Sequence, residues 1–159
     1  MDIGKFSLSA SCKESIGGWN MMVQHWLKYY VMIRAMDRTR SKKTPQLKPK
    51  IWAFTMSSLF HGYYIGYSLF FIGLFLIDEG FASINRSYLI TKLRKVLPGG
   101  NFNSVAIVVM VQLLLRFSSI NFFLLTWNNC LAYCAFYFHY IFSLPLLLMI
   151  IGNMTRTKT

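Results

Sequence analysis

The stretch that decides the fold is residues 52–77, WAFTMSSLFHGYYIGYSLFFIGLFLI. It contains no Asp, Glu, Lys or Arg, so it carries no formal charge at neutral pH. At about 1.5 Å per residue, such a run is long enough to cross the ~30 Å hydrocarbon core of a bilayer. Asp78, Glu79 and Gly80 follow it and end the apolar run. The sequence therefore predicts a transmembrane helix over 52–77.

Outward from this stretch, two further apolar runs predict spans, and two mixed segments predict amphipathic helices that lie in the membrane interface. The predicted spans are 102–126 and 127–151, and the predicted interfacial helices are 19–37 and 81–97. We expect an all-α integral membrane fold of about three transmembrane helices plus two amphipathic interfacial helices, forming one module over 19–151.

The remaining segments are polar or basic. Residues 1–18 are interpreted as a polar lead-in, 38–50 as a basic loop interrupted by two prolines, and 152–159 as a basic tail. With three spans, the 38–50 loop and the 126–129 turn lie on one side of the membrane. The 78–101 segment and the tail then lie on the other side.

Composition excludes an ordinary soluble domain. Hydrophobic residues make up 55% of the 159 and charged residues only 14%, whereas about a quarter of residues are charged in typical soluble domains. The net charge is +12 and flanks apolar blocks, which favours anionic lipid headgroups or acyl-CoA phosphates as partners over nucleic acid. Cys130 and Cys134 face one side of a helix and His139 the opposite side, so no metal site is predicted.

His61 is the most informative single residue. It lies about nine residues into the predicted span, roughly 14 Å deep, where an ionisable side chain is expensive and suggests a functional site. Desolvation disfavours the imidazolium, and a neutral ring is able to accept a proton as a general base. The alternative is a neutral histidine whose hydrogen bonds are satisfied by a neighbouring helix, and its position does not separate the two.

Other polar side chains accompany His61. Ser57 and Ser58 lie on the same predicted helix face, and Tyr63 and Tyr67 add hydroxyl groups that need partners in the membrane. Gly62 and Gly66 have the spacing that lets helices approach closely. Arg116 lies near the middle of the second predicted span and must also find a partner, either another subunit or lipid, or a carbonyl or phosphate of a substrate.

Two ordered motifs resemble the membrane-bound O-acyltransferase family. WNMMVQHWLKYYVMIR at 19–34 is similar to the family's Trp-Asn…Trp-Leu…Tyr-Val…Arg motif, and SSLFHGYYIGY at 57–67 to its Ser-Ala-x-Trp-His-Gly…Gly-Tyr motif. The order and the separation of about forty residues also match. The resemblance covers residues 19 to about 150, and it indicates the carboxy-terminal part of a lysophospholipid-acylating member.

The resemblance implies acyl transfer from acyl-CoA to a lysophospholipid hydroxyl, with His61 as general base and Asn20 polarising the acyl donor. Substrate contacts are then expected from a set comprising Trp19, Ser57, Ser58, Tyr63, Tyr67 and Arg116. Acyl-CoA is a co-substrate, and no other cofactor or metal is expected. The resemblance also implies an endoplasmic reticulum membrane and a contribution from an amino-terminal half.

A different class of function stays open. The chain is then a non-catalytic accessory membrane subunit, derived from such an acyltransferase, of a large respiratory or ATP synthase complex in the mitochondrial inner membrane. Its partners are membrane lipids and other protein subunits, and nucleic acid is not expected in either case.

Overall fold

A computed structural model of the protein describes residues 2–9, 12–36, 47–88 and 100–156; at positions 5, 12, 100–107, 139 and 141 it describes the backbone alone. The helices are named in chain order. They are α1 (Ile3–Leu8), α2 (Cys12–Trp19), α3 (Met21–Trp26, π-helical at Leu27–Met32, then Ile33–Ala35), α4 (Leu47–His61), α5 (Ile65–Asn85), α6 (Gly100–Leu124) and α7 (Trp127–Phe138, π-helical at His139–Ser143, then Leu144–Met154).

The predicted continuous helix over 52–77 is instead two helices, α4 and α5, joined by Gly62, Tyr63 and Tyr64. Gly62 has φ +113°, a backbone conformation that side chains with a Cβ rarely adopt. Its N–H donates to the carbonyl of Leu59 at 3.1 Å and closes the last turn of α4. Apolar composition alone predicted continuity, but this glycine ends the helix directly after His61.

The α4 and α5 helices form an antiparallel hairpin. Phe54 packs edge-on against Phe75 with ring centroids 5.9 Å apart, and the hydroxyls of Ser58 and Ser68 lie 3.2 Å apart. At the open end, Lys50 Nζ reaches Asp78 Oδ2 at 2.9 Å. The predicted topology was therefore wrong on one point, because the first turn of α4 lies beside the end of α5 rather than across the membrane from it.

The predicted basic loop also ends earlier than expected. Residues 37–46 lie outside the described residues, and α4 begins at Leu47 with Pro49 in its first turn. Proline is tolerated there because the first amide groups of a helix have no intrahelical acceptor. Burial alone would lower the pKa of Lys50, but its contacts with Asp78 and Glu79 outweigh burial and raise that pKa.

The core lies around α5, which packs against α4, α6 and α7. Phe70, Leu74 and Ile77 of α5 are buried with Val111 and Leu114 of α6. Close helix approaches depend on glycines at two points of α5 and one of α7. A Cβ at Gly66, Gly80 or Gly152 would overlap backbone atoms of Asn121, Pro145 and Ser83, respectively.

The segments that follow α5 and α7 meet near the open end of the hairpin. Ser87 and Arg156 form an isolated antiparallel bridge, and Tyr88 N–H donates to the carbonyl of Thr155 at 3.1 Å. The predicted tail therefore begins inside α7, which runs to Met154, and residues 157–159 lie outside the described residues. The predicted helix over 81–97 begins as the last turn of α5, and residues 89–97 also lie outside the described residues.

The amino-terminal segments differ from prediction as well. The lead-in contains α1 and α2, which meet through a hydrogen bond from Asp2 N–H to the carbonyl of Gly18 at 2.9 Å. The helix expected over 19–37 begins at Met21, because Asn20 is its N-cap and Trp19 ends the preceding helix. The apolar face expected of this amphipathic helix is largely exposed; the exposed fraction is 84% for Met22 and 54% for Tyr30.

The described residues form an all-α fold, as predicted, apart from the isolated bridge. One helix in these ranges, Ile65–Asn85, is long and apolar enough to cross a membrane by length and composition. Shorter apolar stretches lie at Val108–Leu124 and Leu144–Met154. The number of spans stays a prediction.

Candidate active site

The candidate site is built around His61 at the tip of the hairpin. The imidazole is exposed and lies among three aromatic rings. Its centroid is 5.3 Å from Phe71 in a stacked arrangement, 5.0 Å from Phe122 edge-on and 5.8 Å from Tyr67. It makes no hydrogen bond to the residues that the structure describes, so both ring nitrogens are available to a ligand.

His61 does not lie at the depth expected from the sequence. The expected depth required His61 to lie within a continuous span, whereas His61 is the last residue of α4. The next residues, Gly62 and Tyr63, leave the helix, and the Tyr63 side chain is 97% exposed. His61 is thus a terminal helix residue held by aromatic neighbours rather than one enclosed within a helix bundle.

Two cavities lie against the rings that hold His61. The first, here called the hairpin cavity, has a volume of about 420 Å³ between α4 and α5. Phe71, which stacks on the imidazole, forms part of its wall. Its other walls are largely apolar and include Ser58 and Ser68 as polar groups; the lining is Ile51, Phe54, Thr55, Ser58, Leu59, Ser68, Phe71, Ile72 and Phe75.

The second, here called the tryptophan cavity, has a volume of about 310 Å³. Trp19, Phe70 and Phe122 line it, and Phe122 is the ring that meets His61 edge-on. Arg116 and Gln112 supply polar groups, and Gln112 Nε2 donates to the carbonyl of Phe6 at 2.9 Å. His61 is not itself part of either lining, but Phe71 and Phe122, two of the rings that contact it, each form part of the wall of one cavity.

The first family-like motif reaches this site through its tryptophan. The Trp19 indole meets Phe70 at 5.7 Å and Phe122 at 6.5 Å between ring centroids. Asn20 is exposed and caps α3, with its Oδ1 accepting from Val23 N–H at 3.4 Å. The cap uses the oxygen, and the Asn20 amide NH2 has no acceptor among the described residues. Asn20 is thus a helix-capping residue, a role that leaves its amide donor unused.

The structure brings some of the predicted substrate-contact residues together and separates others. Tyr67 contacts His61, and Ser58 lines the hairpin cavity beside it. Arg116 shares the tryptophan cavity with Trp19 and has no ion-pair partner among the described residues. Ser57 lines a different cavity, described below, and the Tyr63 side chain points away from the bundle.

Sequence reasoning did not identify Phe71 and Phe122, two of the rings that contact His61. Phe71 lies ten positions after His61, and only a turn at Gly62 brings it alongside. A His-Gly pair followed by two tyrosines was the available signal, since glycine commonly terminates helices. No local signal marked Phe122, because its contact with His61 spans sixty-one residues.

An ionic cluster near the open end of the hairpin was also not predicted as such. Glu79 Oε2 accepts from Lys50 Nζ at 2.8 Å, and its Oε1 accepts from Arg86 Nη2 at 2.8 Å. The sequence suggested only that Asp78 and Glu79 end a span. The two free thiols considered for metal binding lie elsewhere, on α7, where Cys130 is buried and Cys134 Sγ donates to Asn121 Oδ1 at 3.5 Å.

Comparison with known proteins agrees with the motifs. A sequence model described as "MBOAT, membrane-bound O-acyltransferase family" matches residues 1–121, well over half of the chain. The chain belongs to the membrane-bound O-acyltransferase family. It is accordingly a membrane protein of that family, and α5 supplies a helix able to span the bilayer.

Three relatives of this family member are named lysophospholipid acyltransferases. The protein from Schizosaccharomyces pombe is 32% identical over 74 residues, which cover 46% of this chain and 14% of that protein. The protein from Saccharomyces cerevisiae is 32% identical over 71 residues, covering 45% and 11%. Lysophospholipid acyltransferase 2 of Arabidopsis thaliana is 26% identical over 145 residues, covering 88% and 29%.

The chain thus spans between 11% and 29% of the lengths of these relatives. This partial coverage fits the predicted resemblance to one part of a longer acyltransferase.

Proposed function

We propose that this chain carries the general base of an acyl transfer from acyl-CoA to the hydroxyl of a lysophospholipid. The observation that supports it is the position of His61, exposed at a helix end and in contact with Phe71 and Phe122, which line two largely apolar cavities. Both substrates of such a reaction carry a fatty chain. Two largely apolar cavities, each walled in part by a ring that contacts the base, suit that requirement.

In the proposed reaction, a ring nitrogen of His61 removes the proton from the acceptor hydroxyl as its oxygen attacks the thioester carbonyl. The new C–O ester bond forms and the C–S bond breaks, with the electron pair leaving on sulfur. The imidazolium then returns its proton to the CoA thiolate. A ring nitrogen of imidazole can accept a proton and later donate it, so one side chain is able to serve both proton transfers.

Asn20 and Arg116 take supporting roles in this proposal. The free amide donor of Asn20 polarises the thioester carbonyl, whose oxygen gains negative charge during attack. Arg116, at the tryptophan cavity, pairs with the phosphate of the lysophospholipid. Tyr67 contacts the His61 ring and orients it, and Ser58 contributes a hydroxyl to the wall of the hairpin cavity.

The test uses His61→Gln, with His25→Gln as its matched control. His25 is an exposed residue of α3 whose ring lies 4.4 Å from Tyr29, away from both cavities. Each chain is produced in membranes that lack endogenous lysophospholipid acylation, together with an amino-terminal acyltransferase segment. Transfer of radiolabelled oleate from oleoyl-CoA to lysophosphatidylcholine is then measured.

We expect His61→Gln to reduce transfer by about 10²–10⁴-fold, the usual contribution of a positioned general base. His25→Gln should retain transfer, and both variants should accumulate in membranes as the parent does. Transfer that survives in His61→Gln would remove this histidine as the base. The proposal places the activity in the endoplasmic reticulum membrane, which co-localisation of a tagged chain checks.

The exposed face of α3 favours a second candidate function, a non-catalytic accessory subunit of a membrane complex. Met22, Trp26 and Tyr30 expose large apolar surfaces on that helix, and such surfaces commonly mark contacts with lipid or protein. This candidate predicts recovery of the chain in a stable multi-subunit assembly after mild detergent extraction. It also predicts that His61→Gln changes neither assembly nor cell growth.

A further inference from the structure

A third cavity lies near the open end of the hairpin, away from His61. We call it the basic cavity; its volume is about 480 Å³. Lys13 of α2, Lys50 of α4 and Arg86 at the end of α5 line it, together with the amide side chains of Gln24 and Asn85. Four helices and the residue after α5 thus bring cationic and amide groups to one place.

Some donor groups in this cavity have no acceptor among the described residues. Lys50 uses two of its three N–H groups on Asp78 and Glu79. Arg86 uses Nη2 for Glu79 and Ser83, while its buried Nε has no hydrogen-bond partner within the described ranges. Lys13 is exposed and has no partner in the part of the chain that the structure describes. Asp78 accepts from Lys50, and Glu79 accepts from both Lys50 and Arg86, so neither of these carboxylates pairs with Lys13.

The rest of the lining is largely apolar, but it also includes the Asp78 carboxylate, which accepts from Lys50, and the Ser57 hydroxyl. Ile16, Leu27 and Phe81 are buried core residues that line the cavity, and Phe54 and Met32 extend this apolar surface. An inorganic ion would leave that surface uncovered. A cationic group of side chains next to an apolar wall matches a molecule with both a phosphate and a hydrocarbon chain.

The basic cavity is remote from the proposed base. His61 follows Lys50 by eleven residues on α4, which is about 16 Å along a helix at ~1.5 Å per residue. We propose that the basic cavity is a second, non-catalytic binding site for the phosphate group of an anionic amphiphile. Lys13, Lys50 and Arg86 hold the phosphate, and Ile16, Leu27 and Phe81 contact the chain. The same phosphate chemistry is offered by a lipid headgroup and by the diphosphate of acyl-CoA.

Native mass spectrometry of the full 159-residue chain in detergent tests this site. The probes are dioleoyl phosphatidate, dioleoyl phosphatidylcholine and free CoA. The variant is Lys13→Gln, and the control is Lys48→Gln, which removes the same charge from an exposed position outside the cavity. Lys13 and Lys48 are both exposed and have no hydrogen-bond or ion-pair partner among the described residues, so thermal unfolding midpoints of both variants should equal that of the parent.

We expect phosphatidate to bind one per chain, and Lys13→Gln to weaken it about tenfold, the effect of losing one charge-assisted hydrogen bond. Lys48→Gln and His61→Gln should bind it as the parent does, which separates this site from the proposed chemistry. Persistence of phosphatidate in the presence of free CoA would assign the cavity to a lipid headgroup. Displacement of phosphatidate by free CoA would overturn the non-catalytic assignment, because acyl-CoA is the donor of the proposed transfer. Equal affinities of Lys13→Gln and Lys48→Gln, equal binding of phosphatidylcholine, or loss of binding in His61→Gln would overturn the site.

Discussion

Gly62 sets the position of His61 more directly than any other residue. Its positive φ ends α4 and turns the chain, so that Phe71 returns to stack on the imidazole. A Cβ at this position would be strained even though the space around it is open, with its nearest neighbour, in the Tyr67 ring, at 3.7 Å. The backbone conformation of one glycine therefore links the family-like motif to the geometry of the candidate site.

Glu79 has a comparable effect on stability. Its side chain is only 4% exposed and accepts hydrogen bonds from both Lys50 and Arg86. We expect Glu79→Gln to lower the free energy of unfolding by about 2 kcal/mol, because two cations lose a charged partner in a partly buried cluster. The value is below that of a fully buried pair, since Lys50 and Arg86 keep some contact with solvent.

Glu14→Gln serves as the control for that measurement. Glu14 is exposed and accepts a hydrogen bond from Ser9, so its replacement should change the free energy of unfolding by less than about 0.5 kcal/mol. Thermal or denaturant unfolding in detergent, followed by circular dichroism, reports both changes. Equal stability of the two variants would show that the cluster around Glu79 contributes no more than a surface contact.

The α5 and α7 helices approach each other closely where they cross. At Gly152 of α7, an added Cβ would overlap the backbone carbonyl of Ser83 and the amide of Ile84. Backbone atoms within a helix move only if the helices separate. We therefore expect Gly152→Ala to destabilise the fold by about 1–3 kcal/mol, the usual cost of overpacking a close contact.

Gly17→Ala is the matched control for the α5–α7 crossing. It makes the same change within α2, where an added Cβ meets nothing within 4 Å. This variant should be neutral or stabilising by up to about 1 kcal/mol, because alanine favours helix. A Gly152→Ala protein that unfolds at the same temperature as the parent would contradict the close approach of α5 and α7.

The α4–α5 hairpin organises the molecule as a whole, because it determines which helix ends lie close together. Lys50 meets Asp78 at one end, and Ser87 bridges to Arg156 nearby in the fold. A continuous span over 52–77 would place Lys48 and Arg156 on opposite sides of a membrane. The hairpin instead predicts that both positions are reached from the same side.

Cysteine labelling distinguishes these arrangements. In a background with Cys12, Cys130 and Cys134 replaced by serine, Lys48→Cys and Arg156→Cys are each treated with a membrane-impermeant maleimide on sealed, oriented vesicles. We expect both positions to react from the same face of the membrane. Both are exposed, Lys48 lies in the first turn of α4, and Arg156 pairs with Ser87 just after the end of α5. Labelling from opposite faces would restore the serial three-span topology and contradict the hairpin.

Several features follow from the amino-acid order alone. Long uncharged runs indicate a membrane location. In lipid, their backbone N–H and C=O groups must form hydrogen bonds with each other, which indicates helices. The Trp19-Asn20 and His61-Gly62 motifs identify the family, because they are local patterns that can be recognised in the sequence without knowledge of the fold. These inferences depend on composition and short spacing, which the sequence displays directly.

Tertiary structure alone decided how those parts meet. An apolar run has the same composition whether it forms one straight helix or two helices joined by a turn. The choice between them is made by contacts far apart in sequence, between Lys50 and Asp78 and between Phe54 and Phe75. Because the free energy of such contacts depends on which surfaces pack together, the exposure of His61, the two cavities beside it and the basic cavity appear only once the chain is folded.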